Sequence, residues 1–493
     1  MIRRPRLAAV PSRALAILIA ALAITALVAV AAGLLAGPRA EPIRIGAVFP
    51  SAANAASLVG PELEGVRLAA QFVDADGGVA GRPIELVERS LDSSADAPAV
   101  MADLARQGIR VVVGSYSSDL SIAASAAASD AGLLYWETGA VADQLTGRGL
   151  PLVFRVGTSG STLGANSATF AAQQLAPRLG KSPAQLRVAI VEAQDAYATS
   201  VADAAASTAA SQGLDVVATI PYNLALPRWP DVMAALKAAK PDTIILASHI
   251  PDGVAFRQAM VASGLRVGAL IGSTMAECDP DFAGDLGSDA IGIFASDRPT
   301  AGFQPTALDA TARAVYDRFV RAWAAAAPSF APASGAAGTY GSAGDAWGGG
   351  DAWGGGGSGD STGSPAPSAT SGGADDAYGL TGPAEAATAE QSEEALAGFS
   401  AAWALFADVL PTATPASGGL DPLQVAAAAR SIDLPTGSLP NGAGLRFSTD
   451  PATLGQNDRA AAVIWQWQAV RQYAFVWPPS YATGPILDVP LTR

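Results

Sequence analysis

The stretch that decides the fold is IRIGAVFPSAANAASLVGPELEGVRLAAQFVDADGGVAGRPIEL, residues 43–86. It opens with an apolar run, Ile43–Phe49, of strand length. After a small polar loop, Leu63, Val66, Ala70 and Val73 recur at spacings that place them on one face of a helix. Gly77 and Gly78 then provide the left-handed backbone that ends such a helix. A second apolar run, Ile84–Leu91, begins directly after the turn. Strand, helix, glycine turn and strand in this order make a βαβ unit.

The alternation continues outward. Further strands are expected at Ile109–Val113, Leu133–Trp136 and Leu152–Val156. A second set follows at Arg187–Val191, Leu214–Thr219, Thr243–Ala247, Val267–Ile271 and Ile291–Ala295. Two such sets predict an α/β protein with two doubly wound, mostly parallel-sheet lobes. Ligands of such sheets bind outside the carboxyl ends of the strands. Late elements are a helix from Glu393 through Leu410, a helix over 421–432, and strands at Gly444–Phe447, Ala462–Gln468 and Tyr473–Trp477, expected to be antiparallel. They are too few for a third core and must return to the lobes already built.

Composition narrows the function. The 493 residues carry a net charge of −14, with 30 basic and 44 acidic side chains. An acidic balance argues against a nucleic-acid partner, which needs a basic face. The single Cys (Cys278) and single His (His249) exclude an intramolecular disulfide, a Cys/His zinc site and a C-x-x-C redox centre. Any Ser-His-Asp triad would depend on His249, and no G-x-S-x-G is present. The glycine run 354–359 lacks a following Lys-Thr, so it is no phosphate loop, and Asp279 with Asp281 lies in no twelve-residue calcium loop. No cofactor and no metal are expected.

Residues 14–36 are uncharged and apolar, and Arg3, Arg4, Arg6 and Arg13 precede them. The stretch is longer than most signal-peptide cores and long enough to span a bilayer. The basic flank predicts export of the remainder, by a cleaved signal peptide or a retained transmembrane anchor. Discounting the five arginines of residues 1–40 takes the net charge from −14 to −19. Residues 332–385 hold 17 of the 52 glycines and a repeated GDAWGG (344–349 and 350–355) without periodicity. They read as a disordered low-complexity insertion.

Four segments resemble type I periplasmic solute-binding proteins, in the leucine/isoleucine/valine-binding branch that serves ABC importers of branched-chain amino acids. The first is 43–86, with the turn DADGGVAGRP (74–83) where the family reads N-x-x-G-G-[IV]-x-G-[RK]-P. The second is VVVGSYSSDLSIAASAAASDAGLLYWETGA (111–140), the third LTGRGLPLVFRV (145–156), and the fourth IDLPTGSLPNGAGLRFSTDPATLGQND (432–458). The resemblance implies two lobes joined by a three-crossover hinge. Lobe one then takes 43–157 and 297–435, including the insertion. Lobe two takes 158–296 and 436–480, and 481–493 is a tail.

The resemblance also implies the site. Ser117 and Ser118 follow a strand and open a helix, where hydroxyls and exposed N–H groups suit a carboxylate. Glu137, Gly139 and Ala140 occupy the segment that contacts ligand by backbone and hydroxyl, with Glu137 where the family has Ser. Glu137 reads either as a rim carboxylate for an ammonium or polyol, or as a solvated loop acid. Tyr197 stands in the D-x-x-[YW]-G position, with Ala198 replacing the glycine. His249 follows TIILAS at the expected pocket edge, and Thr274 or Glu277 marks the place of an ammonium-binding acid. Tyr116, Trp136 and Trp229 are either cleft or core aromatics. The implied protein is not an enzyme. It is an exported monomer that captures an amino acid or related small polar solute by lobe closure and hands it to an ABC permease. The same fold also serves as a ligand-sensing ectodomain coupled to a membrane signalling partner.

Overall fold

The structure, a computed structural model, describes residues 40–51, 59–273, 280–300, 302–326, 393–415, 417–470, 472–487 and 489–491. The N-terminal apolar segment, the glycine- and tryptophan-rich insertion, Thr274, Glu277 and Cys278 lie outside the described residues.

The quoted stretch forms strand β1 (Ile43–Phe49), helix α1 (Val59–Ala75) and strand β2 (Ile84–Ser90), and the two strands pair in parallel. Helix α1 stops where the glycines stand. The Gly78 N–H donates to Val73 O at 2.9 Å, with φ of 108° at Gly77 and 72° at Gly78. A Cβ on Gly78 would lie 2.3 Å from the Arg82 carbonyl oxygen, so only glycine fits. Val66, Ala70 and Val73 of the predicted face are buried and Leu63 is half-buried, but Gly65, Ala69 and Phe72 are buried as well. Helix α1 has a second helix against its flank, and a single hydrophobic stripe does not encode that.

Strands β3 (Val111–Gly114), β4 (Leu134–Glu137) and β5 (Val153–Arg155) complete a five-stranded parallel sheet ordered β2-β1-β3-β4-β5. Helices α2 (Ala97–Arg106) and α3 (Ser118–Asp130) cover one face. The chain then crosses to helix α4 (Gly160–Phe170) and strand β6 (Arg187–Ala193). Helix α5 (Ala196–Ser211), strand β7 (Asp215–Tyr222), helix α6 (Trp229–Ala239) and strand β8 (Thr243–Ala247) follow. Next come helix α7 (Ile250–Ser263), strand β9 (Ala269–Ser273), helix α8 (Pro280–Leu286) and strand β10 (Phe294–Asp297).

After β10 the chain returns to the first sheet. Helices α9 (Ala310–Ala326), α10 (Glu393–Trp403) and α11 (Pro422–Ser431) contribute to its core, with α10 lying along α1. Strands β11 (Val463–Ala469) and β12 (Gln472–Trp477) then extend the second sheet, ordered β12-β11-β10-β9-β8-β6-β7. Both join antiparallel, as the sequence predicts.

The chain therefore passes between the sheets three times, and two passages are tied together. The Asn457 amide donates to Val156 O at 2.9 Å, and Gln456 Nε2 donates to Gly157 O at 3.0 Å. Arg155 Nε in turn donates to Gln456 Oε1 at 2.5 Å.

One expected strand needs correction. Gly444–Phe447 is not a strand: it makes only isolated bridges, Leu434–Leu445 and Phe447–Asn457. Phe447 packs edge-on against Trp136 and Phe154, with ring centroids 5.2 and 5.0 Å away, so its burial comes from the first core. The helix expected from Glu393 through Leu410 is present: it is an α-helix to Trp403, widens to a π turn over Ala404–Val409 and ends at Ala413. Among the described residues one helical run, Glu393–Ala413, is long and apolar enough to cross a membrane. Its apolar window is 72% buried, as in a core helix.

Candidate functional site

A cleft between the lobes encloses about 610 Å³, open solvent at its mouth included. Ser117, Ser118, Gly139, Ala140, Tyr197 and His249 all line it. Residues spread over 130 positions of sequence thus meet because strand ends of both sheets face one another.

Local rules place the two serines. Ser117 has an extended backbone and caps helix α3, its hydroxyl accepting from Leu120 N at 3.4 Å. Ser118 accepts from Ala142 N at 3.2 Å, which ties the helix start to the loop after β4. Tyr116, just before them, has a φ of +83° and also lines the cleft. Trp136 is instead fully buried, donating its indole N–H to Ala401 O at 2.8 Å. Trp229 packs on Tyr222 and Phe256 inside the second lobe.

Glu137 does not line the cleft. Its Oε1 accepts from Gly139 N at 2.8 Å and Ala140 N at 2.7 Å, while Oε2 accepts from Tyr135 O–H at 3.0 Å. It is neither a rim carboxylate nor a solvated loop acid: it shapes the cleft wall from behind. Burial raises its carboxyl above the ordinary range, and the two backbone N–H groups oppose that rise.

Glu62, in the first turn of α1, sits beside it. It accepts from Thr138 Oγ1 at 2.5 Å. A Cβ on Gly139 would lie 2.2 Å from Glu62 Oε2, so a larger residue there would have to push the Glu62 carboxylate aside. Burial pushes the Glu62 carboxyl up to about 8; Arg298 and Thr138 oppose this, and Glu137 and Glu393 add to it. An unfolded glutamate titrates near 4.5, so between about pH 4.5 and 8 the folded chain holds a proton that the unfolded chain releases. The stabilisation from that proton is full below about pH 4.5 and is lost as pH rises through about 8. Glu62→Gln is expected to escape this loss and to become the more stable chain at high pH. Urea midpoints of both chains at about pH 5, 7 and 9 check this. Parallel pH dependence would remove Glu62 from the account.

Lobe two contributes the opposite wall. Asp195 caps α5, accepting from Ala198 N at 2.8 Å, and Tyr197 follows in the first turn. The Tyr197 hydroxyl donates to the Ser273 carbonyl, with Ser248 O 3.2 Å away, so its ring is held against the cleft. His249 caps α7 and meets the Tyr197 ring edge-on at 5.2 Å. Its Nε2 lies 3.2 Å from Asp195 Oδ2 and its Nδ1 3.8 Å from Asp252 Oδ1. Burial disfavours the imidazolium, yet the hydrogen bond and charge of Asp252, with Asp195 and Asp119, outweigh it and raise the imidazole above its ordinary value.

The cleft also holds Asp119, Val141, Asp195, Arg298, Glu393 and Glu394, none of which the sequence reading assigned to the site. Two had a signal: Asp195 stands two residues before Tyr197 at the start of the same helix, and Arg298 follows the end of a predicted strand. Glu393 and Glu394 had none, because only the packing of α10 on α1 carries them there. Arg298 donates through Nε to Glu393 Oε1 at 2.5 Å and through Nη1 to Gly139 O at 2.6 Å. Among the described residues no cluster of His, Cys, Asp and Glu has the arrangement of a metal site.

Known proteins share this architecture. A family model described as periplasmic binding protein matches residues 42–348. The Leu/Ile/Val-binding protein homolog 8 of Brucella abortus is 26% identical over 429 residues, 86% of this chain and 88% of the relative. An ABC transporter substrate-binding protein from Desulfitobacterium hafniense, solved in complex with Leu, superposes with a TM-score of 0.60 at 20% identity. That match covers 88% of this chain and all of the other. An R. palustris solute-binding protein in complex with benzoate gives 0.61 at 15% identity, covering 90% of this chain and 98% of the other. The family match spans more than half of the sequence and agrees with the two-lobed fold and its cleft: the chain belongs to the periplasmic binding protein family.

Proposed function

We propose that this protein captures an amino acid or related small polar solute outside the cytoplasm and delivers it to an ABC permease. The observation that carries the reading is the cleft, where the N-terminus of α3 faces Tyr197 and His249 from the other lobe. The Ser117 and Ser118 hydroxyls and the first N–H groups of α3 suit the solute's carboxylate. Tyr197 and His249 close over it, and Gly139 and Ala140 let it approach the backbone. The names of the relatives, which bind leucine-type ligands or serve ABC transporters, support this class of solute.

Binding proceeds without a reaction. The lobes built on the five- and seven-stranded sheets are the moving bodies, and the passages around Arg155 and Asn457 are the hinge. Solute shifts an open–closed equilibrium because only the closed form touches it from both lobes. Residues 1–40 direct export, as a signal peptide or as an anchor.

Thermal unfolding of the full chain against a panel of amino acids, amides and short-chain acids tests the reading. A true ligand at one hundred times its Kd adds about 2.7 kcal/mol and raises Tm. Absence of a shift with every member of the panel would sink the proposal.

A further inference from the structure

The cleft is strongly biased in charge. Four carboxylates line it, Asp119, Asp195, Glu393 and Glu394, against one guanidinium and one imidazole. In lobe two, Asp195 faces His249, so that carboxylate already has a cationic neighbour at 3.2 Å. In lobe one the balance differs. Arg298 is the only cationic side chain on that wall among the described cleft residues, and its Nη1 is engaged by the Gly139 carbonyl. Asp297, fully buried, also lies 3.9 Å from its Nε.

Glu393 stands apart in this wall. The residue is 3% exposed, and its Oε1 is held by Arg298 at 2.5 Å. Its Oε2 is buried with no hydrogen-bond partner. A buried carboxylate oxygen left without a donor is costly, and a donor that arrives with the solute removes the cost. Glu394, half-buried on the same helical turn, adds a second negative charge to the cleft. Both carboxylates stand at the start of α10, which the close α1–α10 contact and the Arg298 bond hold in place.

We infer that Glu393, with Glu394 beside it, receives a cationic nitrogen of the bound solute, an ammonium or a guanidinium. Arg298 presents Glu393 and keeps its second oxygen available. The assignment rests on the reading of the cleft as a solute site. It places the acceptor for the cation on the helix after the insertion, not at Glu137, whose oxygens are taken by Gly139, Ala140 and Tyr135.

Calorimetric titration of the full chain with L-leucine, L-lysine and 4-methylpentanoate, which is leucine without its amine, tests the inference. At least one of the two amines is expected to bind tenfold or more tightly than 4-methylpentanoate. Tighter binding of lysine than leucine identifies a side-chain nitrogen as the partner, and the reverse order identifies the α-ammonium. Glu393→Gln is expected to cut amine affinity at least tenfold while changing that of 4-methylpentanoate less than threefold. If Glu393→Gln does not fold, Glu394→Gln carries the same test with an expected loss of at least threefold. The inference is overturned if 4-methylpentanoate binds as tightly as the amines, or if the folded variants bind amines like the parent. Binding of uncharged or anionic solutes alone overturns this inference and leaves the solute-binding reading standing. Failure of every solute in the wider panel removes both.

Discussion

Arg298→Met is expected to destabilise the protein by about 3–5 kcal/mol, the usual loss when one partner of a buried ion pair is removed. Arg298 is 8% exposed, Glu393 3%, and Asp297 and Glu62 are fully buried. Burial opposes the charge on Arg298, but Glu393, Asp297 and Glu62 overcome it and hold the guanidinium well above its ordinary value. Without it the Glu393 carboxylate keeps its desolvation and loses its partner. Arg298 also joins three separate parts of the chain: the end of β10, the start of α10 and the loop after β4. Combining Arg298→Met with Glu393→Gln is expected to recover more than half of the loss, because the stranded charge is then gone. Urea unfolding of the single and double variants measures both quantities. A single variant within about 1 kcal/mol of the parent would show that water reaches the pair and screens it.

Gly65→Ala gives the second large effect, about 2–4 kcal/mol of destabilisation, at the upper end for overpacking. Helices α1 and α10 cross through reciprocal glycines. A Cβ on Gly65 would lie 2.2 Å from Ala395 O and 2.7 Å from Phe399 N, and one on Gly398 would lie 2.2 Å from Glu62 O. These obstacles are backbone atoms, so relief requires the helices to separate. Separation would also loosen the edge-on contact of Phe72 with Phe399, whose centroids are 5.3 Å apart. On an isolated helix the same change would stabilise by about 1 kcal/mol, so the sign alone is decisive. Gly419→Ala, at an exposed position with nothing within 4 Å, is the control and should stay within about 0.5 kcal/mol of the parent. Glu62 and Glu393 belong to the displaced helices, so Gly65→Ala is also expected to weaken solute binding. An unchanged unfolding midpoint for Gly65→Ala would contradict the tight crossing.

Much of this architecture was legible before folding was considered. Strands β1 and β8 run over the residues expected, because interior parallel strands are short continuous apolar runs and little else in the chain looks like them. The end of α1 was legible because Gly77 and Gly78 answer a local backbone demand. Ser117 was legible as a helix cap for the same reason. Gly444–Phe447 misled because its apolar residues are buried by a tertiary neighbour, Trp136, and not by a sheet. Glu137 misled because sequence gives a side chain's place in the chain but not its direction. Three donors, Gly139 N, Ala140 N and Tyr135 O–H, turn it away from the cleft.

Periodicity, glycine placement and capping therefore determined by themselves the βαβ units, their grouping into two lobes and the serine-capped helix at one strand end. All are local, since each depends on residues within a turn or a strand of one another. Only the tertiary structure decided the charge of the cleft. Glu393 reaches it because α10 lies on α1 through Gly65 and Gly398, and Arg298 reaches it because β10 ends opposite that helix. Contacts between backbones more than three hundred residues apart leave no periodic trace in the chain, so their consequences for the site appear only once the helices are packed.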